Sequence, residues 1–230
     1  MSYLVYVQIG GQEGMLTAVL HIIGNDSVEM FVRSRHALDA FLSTLLTPFD
    51  SATRQAASVY LKNRVHKSYF IEPTRQRPDQ VPIPQSDRDA LKSNIFPLII
   101  ASPSKAISVQ LASTLRYLIS HDFPEKWPDL MTTIKALLAS NNVREVTAGC
   151  TAILEVIKVY RYRQNSDVLE NVVNETFPQL VTIASQLLAT PPSGSSQDIP
   201  TILHYILKTY RGSIILQLSK HQQNHDSIVP

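Results

Sequence analysis

One pattern constrains this chain more than any other: apolar residues recur at helical spacing, in blocks that stop and restart. From 104 to 120, Ile107, Leu111, Leu115 and Leu118 recur at steps of four, four and three. From 128 to 140 the stripe is Leu130, Met131, Ile134, Leu137 and Leu138. From 145 to 161 it is Val146, Cys150, Ile153, Leu154, Ile157 and Tyr160, and from 88 to 101 it is Leu91, Ile95, Leu98 and Ile99. Each stripe buries one helix face against a neighbour. Gly is scarce at 7, and most of the 14 Pro sit between the stripes, which is how an all-α chain is punctuated.

The breaks carry their own signals. Ser102 is expected to cap the helix after it, with Pro103 at the first position. "SNN" at 140–142 and "RQNSD" at 163–167 separate later helices. "PPSGSSQD" at 191–198 reads as a loop, with Asp198 capping a helix that holds Pro200 in its first turn. Pro178 is expected to kink or split the helix around it. The stretch 72–87, "EPTRQRPDQVPIPQSD", has four prolines and no stripe, so it reads as an exposed loop. It fits a surface excursion better than a binding loop.

"SHDFPEKWPDL" at 120–130 places the single tryptophan between two prolines. Asp122 and Pro124 begin a chain reversal; Trp127 falls at the boundary and Pro128 in the next helix's first turn. Glu125, Lys126 and Asp129 stay in water. The indole of Trp127 is then placed to wedge between successive helix pairs rather than to stack on a ligand.

Pairing the helices gives units near 41–68, 86–120, 125–161 and 169–211. The last three begin about forty residues apart, the period of HEAT or armadillo arrays. A pair cannot bury its own stripe, but stacked pairs can, so the expected fold is an all-α superhelix of about four helix pairs. Residues 1–35 read as an atypical segment and 36–230 as the array, with exposed loops at 71–85 and 190–198.

Charge narrows the function classes. The net charge of +2, from 21 basic and 19 acidic side chains, lacks the excess of a nucleic-acid binder. The lone Cys150 excludes a disulfide framework and a cysteine zinc site; its place on a stripe marks a buried hydrophobe rather than a reactive thiol. The opening "MSYLVYVQIGGQEG" does not read as a signal peptide, and "MLTAVLHIIG" has about half the length a membrane span needs, so a soluble intracellular protein is expected. No P-loop, dinucleotide turn, HExxH or nucleophile elbow is present, so no enzyme chemistry and no cofactor is expected. His221 and His225 stand four apart in a polar tail without a third ligand, which fits a solvated tail better than a metal site. His121 fits a helix terminus. Asn25 and Asn174 open glycosylation-type triplets that read as chance.

Basic residues gather towards the second helix of each pair: Lys62, Arg64 and Lys67; Arg116; Lys158, Arg161 and Arg163. Singly they fit a solvated rim. Repeated in stacked units, they fit a ridge that meets an acidic protein surface.

"RQAASVYLKNRV" (54–65), "SDRDALKSNIFPLI" (86–99), "AISVQLASTLRYLISHDFPEKWPDLMTTI" (106–134) and "AILEVIKVYRYR" (152–163) together resemble the amino-terminal part of importin-beta family nuclear transport receptors. The similarity runs from about Phe41 to the end and is closest to the branch of importins seven and eight, including fungal counterparts. The resemblance implies a HEAT-repeat superhelix without a catalytic site. It implies binding of Ran-GTP and protein cargo, and residence in cytoplasm and nucleus and at the nuclear envelope. In that family the second helices line the face where Ran docks. The Tyr-Leu-Lys-Asn match places Lys62 and Asn63 as contacts and Tyr60 and Leu61 as packing; Arg116 and Arg161 join them by analogous position. Residues 1–35 depart from the family's first helix pair and the chain is far shorter than a full receptor, so a fragment or an altered gene model is expected; the family's pore contacts mostly lie in later repeats. A HEAT scaffold for a kinase or phosphatase complex is the alternative.

Overall fold

The computed structural model describes residues 51–71, 82–163, 167–189 and 198–214. Among them are seven helices and no strand: α1 (Ser51–Ser68), α2 (Gln85–Ile100), α3 (Lys105–Asp122), α4 (Leu130–Leu138), α5 (Val143–Tyr160), α6 (Asp167–Ala189) and α7 (Asp198–Ser213). After α1, α2 and α3, the helices pack as two pairs, α4/α5 and α6/α7. The chain forms two compact units, residues 1–111 and 112–230, whose boundary falls inside α3. Residues 1–35, the middle of the 71–85 loop, most of the 190–198 loop, and the pair His221 and His225 lie outside the described residues.

In the first unit, α1 buries Ala57, Leu61 and Val65, and α2 buries Leu91, Ile95, Phe96, Leu98 and Ile99. Arg54 Nη2 donates to the carbonyl of Ala101, 3.3 Å away. The loop between the helices is not exposed throughout. Ile83 is buried, and its N–H donates to the carbonyl of Ser68 at 3.0 Å. Arg88 Nε donates to the Ile83 carbonyl at 3.0 Å, and its guanidinium lies over the Tyr69 ring, 4.8 Å from the centroid. The helix resumes at Gln85, inside the stretch read as loop. Pro84 stands at the cap position just before α2, where a proline's missing N–H costs no helical hydrogen bond.

The cap of α3 also differs from expectation. Ser104 Oγ accepts from the Ile107 N–H at 3.4 Å, so Ser104 rather than Ser102 caps the helix. Ser102 Oγ donates to the Ser104 carbonyl at 3.1 Å and accepts from Ser108 Oγ at 3.0 Å, bracing the turn from outside.

The second unit has two layers. Its first helices, α4 and α6, are joined by Lys135 and Glu175, whose charged atoms are 2.8 Å apart on the surface. Its second helices form the other layer. There α3 meets α5 at Arg116 and Glu155, and again at the helix ends, where Tyr160 Oη donates to the Phe123 carbonyl at 2.7 Å. These two contacts mean that α3 and α5 run in the same direction. Close approach joins α5 to its partners: a Cβ on Gly149 would lie 2.9 Å from a Leu138 methyl of α4, and one on Gly212 would lie 2.8 Å from Ile157. Helix α5 is buried without interruption from Ala148 to Ile157. It is the core of this unit, not a helix with one greasy side. Asn142 caps it, its Oδ1 accepting from the Arg144 N–H at 3.0 Å.

The 122–129 turn sits between α3 and α4. Phe123 and Asp122 are buried, Glu125, Lys126 and Asp129 are exposed, and Trp127 is half-buried. Helix α4 begins only at Leu130, so Pro128 stands before the helix instead of in its first turn. Leu130 N–H donates to the Trp127 carbonyl at 3.3 Å, which closes the turn without an extra helical residue. Tyr160 locks the turn from α5: besides its hydrogen bond, its ring meets Phe123 edge-on at 6.1 Å. Tyr160→Phe should leave the buried Phe123 carbonyl unpaired and lower the unfolding free energy by about 1–2 kcal/mol, read from a urea titration.

Pro178 does not split its helix; α6 runs unbroken from Asp167 to Ala189. The proline itself is exposed, while Val173, Thr176, Phe177 and Leu180 around it are buried. Packing on both sides holds the two halves in one helix and offsets the lost backbone donor.

Candidate functional site: the second-helix surfaces

The candidate contacts lie on α1, on α3 and just past the end of α5, and each unit presents its own. In the first unit, α1 carries Tyr60, Leu61, Lys62 and Asn63. Leu61 is fully buried, Tyr60 and Lys62 are half-buried, and Asn63 is exposed. Ala52, Gln55, Ala56, Val59, Tyr60 and Asn63 recur at steps of three and one, so they share one face of α1, and they line an open groove of about 540 Å³. Burial raises the Tyr60 phenol above its ordinary value, though the nearby Arg64 charge pulls it down. Burial likewise lowers Arg64, against the opposing pull of Tyr60 and Asp87. Arg64 is therefore drawn into packing, whereas Lys67 is exposed.

In the second unit, Arg116 of α3 does not stand free. Its Nε lies 2.9 Å from Glu155 Oε2 of α5, a charge contact rather than a well-aligned hydrogen bond. Lys158 Nζ reaches the other oxygen of Glu155 at 2.6 Å. Glu155 is 3% exposed, so one buried carboxylate serves two cations at the surface. Sequence reasoning missed Glu155. The available signal was a lone carboxylate inside the apolar run "AILEVIKVY", with a lysine three residues on.

Arg161 follows the end of α5, and its N–H donates to the Ile157 carbonyl at 2.8 Å. Its guanidinium lies 4.6 Å from the centre of the Tyr162 ring, and among the described residues no acceptor reaches its buried Nε. Arg163 covers Tyr160 at 4.4 Å. Burial raises the Tyr160 phenol, the Arg163 charge lowers it and Glu125 raises it again. The stack on Tyr162 holds the Arg161 plane and leaves its N–H edge for a partner, whereas Arg163 also donates a hydrogen bond to the Tyr160 hydroxyl, which lowers that phenol further.

Cys150 is buried, and burial pushes its thiol up from 9.0 to about 12. The thiol is neutral over the working pH range and chemically inert. Iodoacetamide should label it only on unfolding. Because the folded pKa lies above the unfolded one, the thiol's contribution is complete below pH 9 and is lost as pH rises towards 12. A pH series of melting temperatures should decline across that window. Among the described residues no group of histidine, cysteine and carboxylate side chains could hold a metal ion, and no helix is long and apolar enough to cross a membrane.

These helix pairs define the class of fold: a HEAT-type helical array. A solved structure titled "The exportin Cse1 in its cargo-free, cytoplasmic state" superposes on 89% of this chain and 23% of its own, with a TM-score of 0.74 at 17% identity. Residues 36–101 match the importin-beta N-terminal domain. The chain is 31% identical over 182 residues to importin-8 of Mus musculus, covering 74% of this chain and 17% of that protein. It is also 31% identical over 120 residues to exportin-2 of Oreochromis niloticus, covering 52% of this chain and 12% of that protein. The chain is thus similar to importin-beta family proteins over its residues 36–101 and beyond, and it spans less than a fifth of the length of these two relatives.

Proposed function

We propose that this chain serves as the amino-terminal part of a nuclear transport receptor. It binds the GTP-bound form of Ran and takes part in carrying protein cargo into the nucleus. It works by reversible binding rather than catalysis, moving between cytoplasm and nucleus and meeting nuclear pore proteins at the nuclear envelope. The observation that carries this reading is the importin-beta N-terminal domain at residues 36–101, which includes all of α1. Lys62 and Asn63 on that helix, with Arg116 and Arg161 in the second unit, are the proposed Ran contacts. Their exposure or half-exposure supports the assignment. The likeness to exportin-2 supports a second reading, in which the direction of carriage is outward.

The test is nucleotide-dependent binding. Ran loaded with GTP should bind the chain, and Ran loaded with GDP should not. Equal binding of both forms, or of neither, overturns the Ran assignment. Lys62→Glu and Arg161→Glu should each weaken the complex several-fold and flatten its salt dependence. Arg116 is less informative, because reversing it sets a second negative charge against buried Glu155. Transport assays with a fluorescent fusion of the chain decide between the two directions.

A further inference from the structure

We infer that the second-helix layer of residues 112–230 docks an acidic, extended segment of a partner protein, and that buried Glu155 is the residue that positions its cations. The inference deepens the reading of second helices as the binding layer, but it does not require the GTPase.

Charge is sorted by layer in this unit. The carboxylates on α3 and in the middle of α5, Asp122 and Glu155, are 4% and 3% exposed. The cations beside Glu155 remain in contact with water: the side chains of Arg116 and Lys158 are 46% and 28% exposed. One turn on come Arg161 and Arg163, and the neighbouring α7 adds exposed Lys208 and Arg211, with no carboxylate from 199 to 213. Helix α6, in the other layer, carries Asp167, Glu170 and Glu175 and no lysine or arginine. Around Glu155 negative charge is thus held beneath positive charge, whereas α6 displays its carboxylates; half-buried Glu145 on α5 and Lys135 on α4 are the exceptions. The outward field of the second-helix layer favours an anionic partner.

Glu155 does more than neutralise. A carboxylate fixed in the core takes one edge of Arg116 and one proton of Lys158, which limits the rotamers of two long side chains. Their remaining donors are then held in place before a partner arrives, which lowers the ordering cost of binding. A peptide carboxylate suits these donors better than nucleic acid does. Tyr160 is buried, and one face of the exposed Tyr162 is taken by the Arg161 guanidinium, which leaves a single open ring face for a base. The whole chain also lacks the basic excess of a nucleic-acid binder.

The experiment is fluorescence anisotropy with the full chain and a fluorescein-labelled deca-glutamate peptide, at low and at physiological salt. Saturable binding that weakens with salt is expected, and Arg161→Glu with Arg163→Glu should weaken it on the order of tenfold. Glu155→Gln decides the positioning role. It makes the surface more positive, so a purely electrostatic surface would bind tighter or equally; positioning predicts weaker binding, partly restored by Glu155→Asp. Circular dichroism melts verify that each variant is folded, and Arg116→Gln repeats the test from a half-exposed site if Glu155→Gln is not. No peptide binding, binding indifferent to the arginine reversals, or stronger binding of a deca-thymidine probe to the same arginines overturns the inference. Peptide binding without Ran binding would overturn only the GTPase assignment, and Ran binding without peptide binding only this one.

Discussion

Ile153→Ala should lower the unfolding free energy by about 3 kcal/mol, within the range for truncating a buried isoleucine. Ile153 is 0% exposed in the middle of α5, the helix buried without interruption over two and a half turns. Packing surrounds it, with α4 on one side and α7 on another, so little can collapse into the vacated space. Val181→Ala is the matched control. Val181 is 59% exposed, and its truncation should change stability by no more than about 0.5 kcal/mol. Urea titrations of the two variants beside the parent chain give the comparison, and equal effects would mean that α5 is not the core of its unit.

Gly149→Val should cost a similar amount, about 2–3 kcal/mol, by the opposite route of overfilling. A Cβ at this position would stand 2.9 Å from a Leu138 methyl and 3.2 Å from the Leu138 backbone nitrogen. The methyl can move, but the backbone of α4 cannot without shifting the whole helix. Gly212→Ala is the instructive contrast. Its added Cβ meets only a side-chain methyl of Ile157, at 2.8 Å, which can rotate aside. The gain in helix propensity then offsets part of the crowding, and the net effect should stay below about 1 kcal/mol. A thermal melt in which Gly212→Ala proves the more damaging would reverse the assignment of which helix contact is tight.

Most of the helical frame was legible because its signal is local. Ile107, Leu111, Leu115 and Leu118 lie at helical spacing in the sequence, and all four are buried. What was not legible depends on tertiary contact. Nothing in "REVTAGCTAILEVIKVY" distinguishes a helix covered on one side from one covered on all sides, since alanine, glycine and threonine are compatible with both. Ser102 and Ser104 offer the same hydroxyl to the backbone, and only the path of the turn selects Ser104. Pro178 reads as a breaker until buried neighbours on both flanks hold the helix together. Lys62, Asn63 and Arg161 can be proposed from residue type and position alone. The ion pair of Arg116 could not, because its partner lies in a different helix.

The hydrogen bond from Ile83 to Ser68, together with Arg88 bridging Ile83 and Tyr69, fastens the two stems that flank the proline-rich stretch. Residues added between those stems need not disturb either helix, and doubling the intervening length should cost only about 0.6 kcal/mol in closure entropy. Evolution and the experimenter thus share a permissive address: a reporter or recognition sequence can be spliced there while the frame on both sides keeps its shape.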